Sequence, residues 1–232
     1  APEATAVVNL GAGRTAKAVS AGLMHNCAIL DDDNLKCWGK NTNGQLGQAY
    51  SSGPRTSPVA VDVGSGRTAK ALSLGGSHTC AILDNDTLKC WGGGGNGQLG
   101  YGDTSQKDRP DATAVVNLGA GRTAKALSAG GSHTCAILDN DTLKCWGDNF
   151  NGQLGYGDTT QREDPDATAV VNLGAGRTAK ALSAGDFHTC AILDNDTLKC
   201  WGANTNGQLG YGDAPSRTAP EATAVVNLGA GR

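Results

Sequence analysis

The residues of this 232-residue chain whose types and spacing could do chemistry are eight cysteines and four histidines. The cysteines form four pairs with a spacing of ten residues, and a histidine stands two positions before the first cysteine of each pair. Such groups can bind a metal ion, act as nucleophile and base, or form disulfides. The pairs are Cys27 and Cys37, Cys80 and Cys90, Cys135 and Cys145, and Cys190 and Cys200; the histidines are His25, His78, His133 and His188.

The two cysteines of each pair flank a short polar turn, which predicts a β-hairpin. In the third pair, a turn centred on Asn140 places Ile137 opposite Leu143 and Cys135 opposite Cys145. Directly opposed residues in an antiparallel pair have Cα atoms about 4.5 Å apart, which a disulfide can bridge. We therefore predict four disulfides, one in each hairpin. A zinc site would need four ligands, of which one hairpin supplies two. Buried reduced cysteines are the stronger alternative, because cysteine packs well as a small hydrophobe.

Four disulfides also predict where the protein is found. Disulfides persist in oxidising compartments and are rare where thiols are kept reduced. We therefore expect the chain to be extracellular or displayed at a cell surface. Asn85, Asn140 and Asn195 each begin the triplet Asn-Asp-Thr, which is a candidate N-glycosylation site in a eukaryotic source.

The histidines occupy one equivalent position in every repeat, which favours a structural role over catalysis. No serine-histidine-carboxylate or paired-carboxylate group stands outside the repeat pattern. The glycines of Gly119-Ala120-Gly121 are not followed by a helix that could bind a phosphate. The acidic turn at Asp31-Asp32-Asp33 lacks the twelve-residue loop of a calcium site. We expect no catalytic residue, no metal and no cofactor.

The segment that begins at the histidine recurs at positions 25, 78, 133 and 188, in steps of 53, 55 and 55 residues. The chain is therefore a tandem repeat. Residues 1–14 and 219–232 are identical, so both copies should compete for one strand position, and one of them should pair beyond the repeats. The units are residues 1–53, 54–108, 109–163 and 164–218, with the restart of a fifth at 219–232.

The pattern of apolar and turn residues in each unit predicts about four short antiparallel strands and no helix, so the predicted fold class is all-β. On one face of the third hairpin lie Cys135, Ile137, Leu143 and Cys145, and on the other Ala136, Leu138 and Trp146. A sheet that is apolar on both faces must lie between similar sheets, as a propeller blade does. In the third unit the predicted strands are Ala114–Leu118, Ala124–Ser128, His133–Leu138 and Leu143–Trp146.

The motifs of the repeat resemble the regulator of chromosome condensation family. In the third unit these are His133 to Leu138, Leu143 to Gly147, and Asn151-Gly152-Gln153-Leu154-Gly155; all four units carry them. The resemblance implies a propeller, usually of seven blades, in which these residues build the blade. It also implies a nucleotide-exchange activity and chromatin contact for some members. Those depend on basic segments and loops, and a balance of 19 basic against 22 acidic residues gives no sign of them.

Partners are expected where the repeats differ. Met24, Phe150 and Phe187 fall in variable loops, away from the apolar periodicity, and are candidate contact residues. Drift in unselected loops is the alternative explanation. A net charge of −3 disfavours nucleic acid, and no apolar run is long enough for a membrane span.

Two functions fit these observations. The first is a non-enzymatic extracellular structural or adhesive protein that assembles with other protein chains, including its own copies, through strand addition at its identical ends. The second is a receptor-like module that binds a protein or a glycan with its variable loops. Guanine nucleotide exchange is a weaker third.

The disulfide prediction is tested by intact mass. Each disulfide removes two hydrogens, so the unreduced protein should be about 8 Da lighter than the fully reduced protein. Eight alkylatable thiols in the unfolded, unreduced protein would contradict both the disulfides and the extracellular expectation.

Overall fold

The computed structural model describes residues 7–110, 115–165, 170–220 and 225–229, and its regular elements in those ranges are all β-strands. No helix that could cross a membrane occurs in these ranges. The strands are β1 (Ala16–Ala21), β2 (His25–Leu30), β3 (Leu35–Gly39), β4 (Arg55–Val61), β5 (Ala69–Leu74), β6 (His78–Leu83), β7 (Leu88–Gly92), β8 (Ala124–Ala129), β9 (His133–Leu138), β10 (Leu143–Gly147), β11 (Ala179–Ala184), β12 (His188–Leu193) and β13 (Leu198–Gly202).

The strands form four antiparallel sheets, which are the predicted blades. The first blade has the order β1-β2-β3-β4, and the others are β5-β6-β7, β8-β9-β10 and β11-β12-β13. The innermost strands β1, β5, β8 and β11 succeed one another around a common open cleft of about 190 Å³. The fold is therefore all-β, with one blade per repeat.

The hairpin register agrees with the register deduced from the turn. Ile137 pairs with Leu143 and Cys135 with Cys145. All four cysteine pairs are joined by disulfides, with Cα atoms 4.0 to 4.1 Å apart. The turn is tight because Asp141 adopts a φ of 63°, a conformation that aspartate tolerates.

The segment predicted as the first strand of the third unit has a different role. Ala114 lies outside the described residues, and residues 115–118 form no strand. Instead, the Val116 N–H donates to the Leu88 carbonyl at 2.8 Å, and Val116 packs into the second blade. The apolar pattern of this segment was recognised correctly, but the segment closes the preceding blade rather than opening its own.

A tyrosine explains why the first blade has four strands and the other three blades have three. In the second blade the Tyr101 hydroxyl donates to the Cys90 carbonyl at 3.0 Å and accepts from the Cys90 N–H at 3.1 Å. It thereby satisfies the edge groups that a fourth strand would use. The first blade has Gln48 at the equivalent position, and there Val59 of β4 pairs with Cys37.

Each blade has two apolar faces. We call the face with the disulfide the cystine face; in the second blade it consists of Cys80, Ile82, Leu88, Cys90 and Leu99. We call the opposite face the tryptophan face; in the third blade it consists of Ala124, Ala136, Leu138 and Trp146. These two sets form one buried cluster, and the same pairing joins the first blade to the second and the third to the fourth.

The two identical end segments were expected to compete for one strand position, but in the described residues neither forms a strand and each lies against a different blade. The Val226 N–H donates to the Leu198 carbonyl at 2.9 Å, so the segment at residues 219–232 closes the fourth blade. The Leu10 carbonyl accepts from Lys36 Nζ at 2.8 Å, so the segment at residues 1–14 lies against the first blade. Residues 1–6, 221–224 and 230–232 lie outside the described residues.

The tryptophans provide a stability test. Trp146 is fully buried, and its indole N–H donates to the Gln98 carbonyl of the second blade at 3.0 Å, whereas Trp38 is half-buried and its indole N–H has no described partner. We expect Trp146→Ala to lower the free energy of unfolding by about 3 to 5 kcal/mol, and the matched variant Trp38→Ala to lower it less. Urea unfolding measures both, and equal losses would contradict the role of tryptophan between blades.

Candidate functional site

The histidines, which were the candidate bases, link neighbouring blades. His78 Nε2 lies 2.9 Å from the Thr134 hydroxyl of the next blade, and that hydroxyl donates to the Gln98 carbonyl at 2.9 Å. Because the Thr134 hydroxyl donates its only proton to the Gln98 carbonyl, it can only accept from His78. The imidazole is therefore the donor, with its proton on Nε2. His25 with Thr79 and His133 with Thr189 repeat this arrangement.

The other ring nitrogen is enclosed. Nδ1 of His25, His78 and His133 is buried and has no hydrogen-bond partner. A Cβ atom added at Gly75 would overlap the ring of His78, so the glycine is needed for the ring to fit. A general base must reach a substrate proton within hydrogen-bond distance. These imidazoles are fully enclosed, so their geometry suits a structural link.

Burial controls the protonation of these rings. Burial lowers the pKa of His78 and His133 from 6.5 to about 3, and that of His25 to about 4. The positive charge of a protonated neighbouring histidine adds to the lowering for His78 and His133. The links are therefore neutral at physiological pH.

The hairpin turns lie together at one end of the blades, which we call the turn face. In the third blade, ion pairs join Arg122 to Asp139 at 3.0 Å and Lys125 to Asp141 at 2.7 Å. Asn140 is exposed at this face, and its Oδ1 accepts from the Thr142 hydroxyl at 2.7 Å. Asn85 and Asn195 are exposed in the same way, so all three candidate glycosylation sites are accessible; their use stays a prediction. The described residues contain no group of three side chains placed to hold a metal ion.

The variable loops lie at the opposite end, which we call the loop face. His133, at the start of β9, pairs with Gly147, at the end of β10, and the Asp148 N–H donates to the Ser132 carbonyl at 2.9 Å. The loops before each histidine and after each Trp-Gly therefore lie side by side. The large apolar side chains on this face, with their exposed fractions, are Leu23 (73%), Met24 (58%), Phe150 (78%) and Phe187 (50%).

Sequence reasoning named three of these four residues and missed Leu23. The signal was present, because the other repeats have Gly76, Gly131 and Asp186 at that position. A leucine among glycines and an aspartate departs from the period as clearly as the phenylalanines do.

The enclosed histidines make stability dependent on pH. Their pKa is lowered in the folded state, so the unfolded state binds more protons as the pH falls below 6.5, and stability should fall progressively toward pH 3. In NMR titrations the rings of His78 and His133 should stay neutral well below 6.5, whereas half-buried His188, whose pKa is lowered less, should titrate first. A matched variant is His133→Gln, whose amide can still donate to Thr189 but does not titrate; its stability should depend less on pH. Titration of His78 near pH 6.5 in the folded protein would contradict the enclosure.

The chain is similar to several known proteins over most of its length. It is 33% identical over 204 residues to the ultraviolet-B receptor UVR8 of Arabidopsis thaliana, an alignment that covers 88% of this chain and 45% of UVR8. Among solved structures, human WBSCR16 has a TM-score of 0.78 at 19% identity, covering 92% of this chain and 53% of that one. Yeast RCC1 (Prp20), solved bound to Kap60, has a TM-score of 0.74 at 19% identity, covering 93% and 50%.

The chain thus spans about half of the length of these relatives. Two descriptions of the regulator of chromosome condensation (RCC1) repeat match its sequence. One matches residues 16–45, 69–98, 124–153 and 179–208, and the other matches residues 32–82, 88–137 and 143–192. Each set covers more than half of the chain, so the chain belongs to the family of RCC1 repeat proteins.

Proposed function

We propose that the chain is a non-enzymatic protein-interaction module of the extracellular space or cell surface, and that it binds a protein partner through its loop face. One observation carries the proposal: four large apolar side chains are exposed at the loop face. Exposed apolar side chains on a rigid scaffold are typical of binding surfaces.

The loops of this face are held in place by the protein itself. The Asn149 side chain donates to the Asp158 and Thr160 carbonyls at 3.0 Å, and its Oδ1 accepts from the Leu154 N–H at 2.9 Å. The Phe150 N–H donates to Asp148 Oδ1 at 3.1 Å. A loop that is ordered before binding costs less conformational entropy when a partner docks. Phe150 is therefore presented in a prepared position.

The non-enzymatic part rests on how the chain uses its chemically capable residues. The eight cysteines are joined in disulfides. Three histidines donate to threonines between blades. The aspartates of the hairpin turns pair with arginine and lysine. These groups are occupied in structure rather than gathered around a substrate.

The extracellular part rests on the disulfides, since such bonds persist in oxidising compartments. The candidate glycosylation sites Asn85, Asn140 and Asn195 all lie on the turn face. Glycans there would leave the loop face open to a partner. A protein partner is supported by one relative, because yeast RCC1 (Prp20) was solved bound to the protein Kap60.

A structural or adhesive role through self-assembly is the second candidate. It is favoured by the identical sequences of residues 1–14 and 219–232, because two copies of one segment can occupy the same place against a blade. A glycan remains an alternative ligand for the loop face, because exposed aromatic side chains suit sugar rings as well.

The loop face is tested by comparing two sets of substitutions. The loop variant carries Met24→Ser, Phe150→Ser and Phe187→Ser, and the control carries Asn85→Gln, Asn140→Gln and Asn195→Gln on the turn face. Binding of labelled protein to intact cells of the source should weaken about tenfold or more for the loop variant and little for the control. Both variants should melt as the unchanged protein does, because the substituted residues are exposed. Unchanged binding by the loop variant would overturn the proposal.

A further inference from the structure

Each blade carries one long loop on the loop face, which follows the Trp-Gly pair and which we call its outer loop. The outer loops are residues 40–54, 93–106, 148–161 and 203–216. The base of each loop is closed by backbone pairing, as between Gly92 and Lys107 in the second blade and between Gly39 and Arg55 in the first. The four loops therefore share one base and differ above it.

In three blades a buried asparagine ties the two limbs of the outer loop together. In the third blade these limbs are residues 148–153 and 156–161. Asn149 lies on the first limb, and its side chain donates to the Asp158 and Thr160 carbonyls of the second limb at 3.0 Å. Its Oδ1 also accepts from the Leu154 N–H at 2.9 Å. Asn41 and Asn204 tie their own limbs in the same way, and all three asparagines are 0% exposed.

The second blade has no such tie. Gly94 stands at the position of the asparagine, within a run of four glycines. The groups that an asparagine would bind are the Leu99 N–H and the carbonyls of Asp103 and Ser105, and none of these has a described hydrogen-bond partner. The Ser105 carbonyl instead occupies the space that a Cβ atom at Gly94 would need. Among the described residues, no hydrogen bond directly joins the first limb, residues 93–98, to the second limb, residues 101–106.

A missing neighbour does not cause this difference. The second blade lies between the first and the third, and both of its apolar faces are buried against them. The adjacent loop of the third blade is the opposite case. There Asp148, at the position of Gly93, accepts from the Phe150 N–H at 3.1 Å and from the Gln153 side chain at 2.9 Å. An untied outer loop thus lies beside one that is tied by two side chains.

Two physical effects favour separation of the untied limbs. Backbone N–H and C=O groups that lack a partner gain hydrogen bonds to water when the limbs separate. Glycine also gains more backbone freedom than any other residue when an ordered segment is released. Both effects are strongest in the second blade, because its loop has the unpaired groups and the glycine run.

We propose that the second limb of this loop, residues 101–106, is a flap that separates from the first limb in the folded protein, whereas the loops tied by asparagine stay closed. This inference rests on the proposed loop-face function and deepens it. The flap is the part of the loop face that changes shape against a partner, while Phe150 on the next blade stays fixed.

Two glycine amides report separation of the limbs in matched surroundings. The Gly102 N–H of the second blade donates to the Glu163 carbonyl at 3.1 Å, and the Gly157 N–H of the third blade donates to the Thr218 carbonyl at 2.9 Å. Glu163 lies against Gly97 of the first limb. Separation of the limbs therefore breaks the hydrogen bond of Gly102.

The experiment measures hydrogen exchange of these two amides by NMR in the free, full chain. Gly102 and Gly157 each stand between a tyrosine and an aspartate, so their intrinsic exchange rates are equal. We expect Gly102 to exchange about tenfold faster than Gly157, because exchange of a bonded amide follows local opening. Equal rates, or slower exchange at Gly102, would overturn the proposal.

Matched substitutions should interchange the two loops. Asn149→Gly removes the tie from the third blade and should accelerate exchange at Gly157 to the rate of Gly102. Gly94→Asn supplies the missing amide, so it should displace the Ser105 carbonyl and slow exchange at Gly102. If Gly94→Asn fails to fold, Asn149→Gly alone decides, and an unchanged rate at Gly157 in that variant would refute the role of the asparagine.

Phe150→Gly is the control for backbone freedom. It adds a glycine to the same loop and keeps Asn149, so exchange at Gly157 should stay slow. Acceleration equal to that of Asn149→Gly would count against the tie.

The flap and the loop-face function fail separately. Exchange is measured on the free protein, so equal rates at the two glycines would overturn the flap and leave binding by the loop face standing. Unchanged cell binding by the loop variant would overturn the loop-face function and leave the difference in exchange standing.

Discussion

Each blade carries two apolar faces and can bury neither of them alone. The inner strands are short, and a single antiparallel sheet of three strands has no second layer to cover it. Stacking provides the missing layer, because the cystine face of one blade meets the tryptophan face of the next. Trp146 shows the result, since its ring is fully buried although its own blade covers only one side of it. Stability is therefore a property of the interfaces between blades, as in other repeat proteins.

The polar groups fix how the blades meet. The hydrophobic effect has no directional preference, so apolar burial alone would allow two blades to stack in several registers. The Gln98 carbonyl, however, accepts from both Trp146 and Thr134, and His78 donates to the same threonine. Each of these buried groups has one suitable partner, so a shifted stack would leave several of them unsatisfied at a substantial cost. Gly75 is part of the same arrangement, because any side chain there would displace the imidazole.

Local pairing could be read from the sequence, and the partner of an isolated strand could not. The turn around Asn140 determined the register of β9 and β10, the Cys135–Cys145 bond and the two faces of the hairpin. The segment at residues 115–118 has an equally clear strand pattern, but the pattern does not say which sheet it joins. The role of Tyr101 could not be predicted either, because its side-chain hydroxyl makes the two hydrogen bonds to Cys90 that the backbone of a fourth strand would make. On the loop face, residue types identified Phe150 but not the ordering of its loop.

Repetition separates architecture from function in this chain. The residues with catalytic potential recur in every blade; all eight cysteines form disulfides, and three of the four histidines form the same link between blades. A feature built four times in one geometry records what a blade requires. A feature that occurs once, such as Phe150 or Leu23, is not required by any blade, since the other blades fold without it. In a repeat protein of this kind, residues that differ from their counterparts in the other repeats are therefore the ones free to change for the binding of a partner.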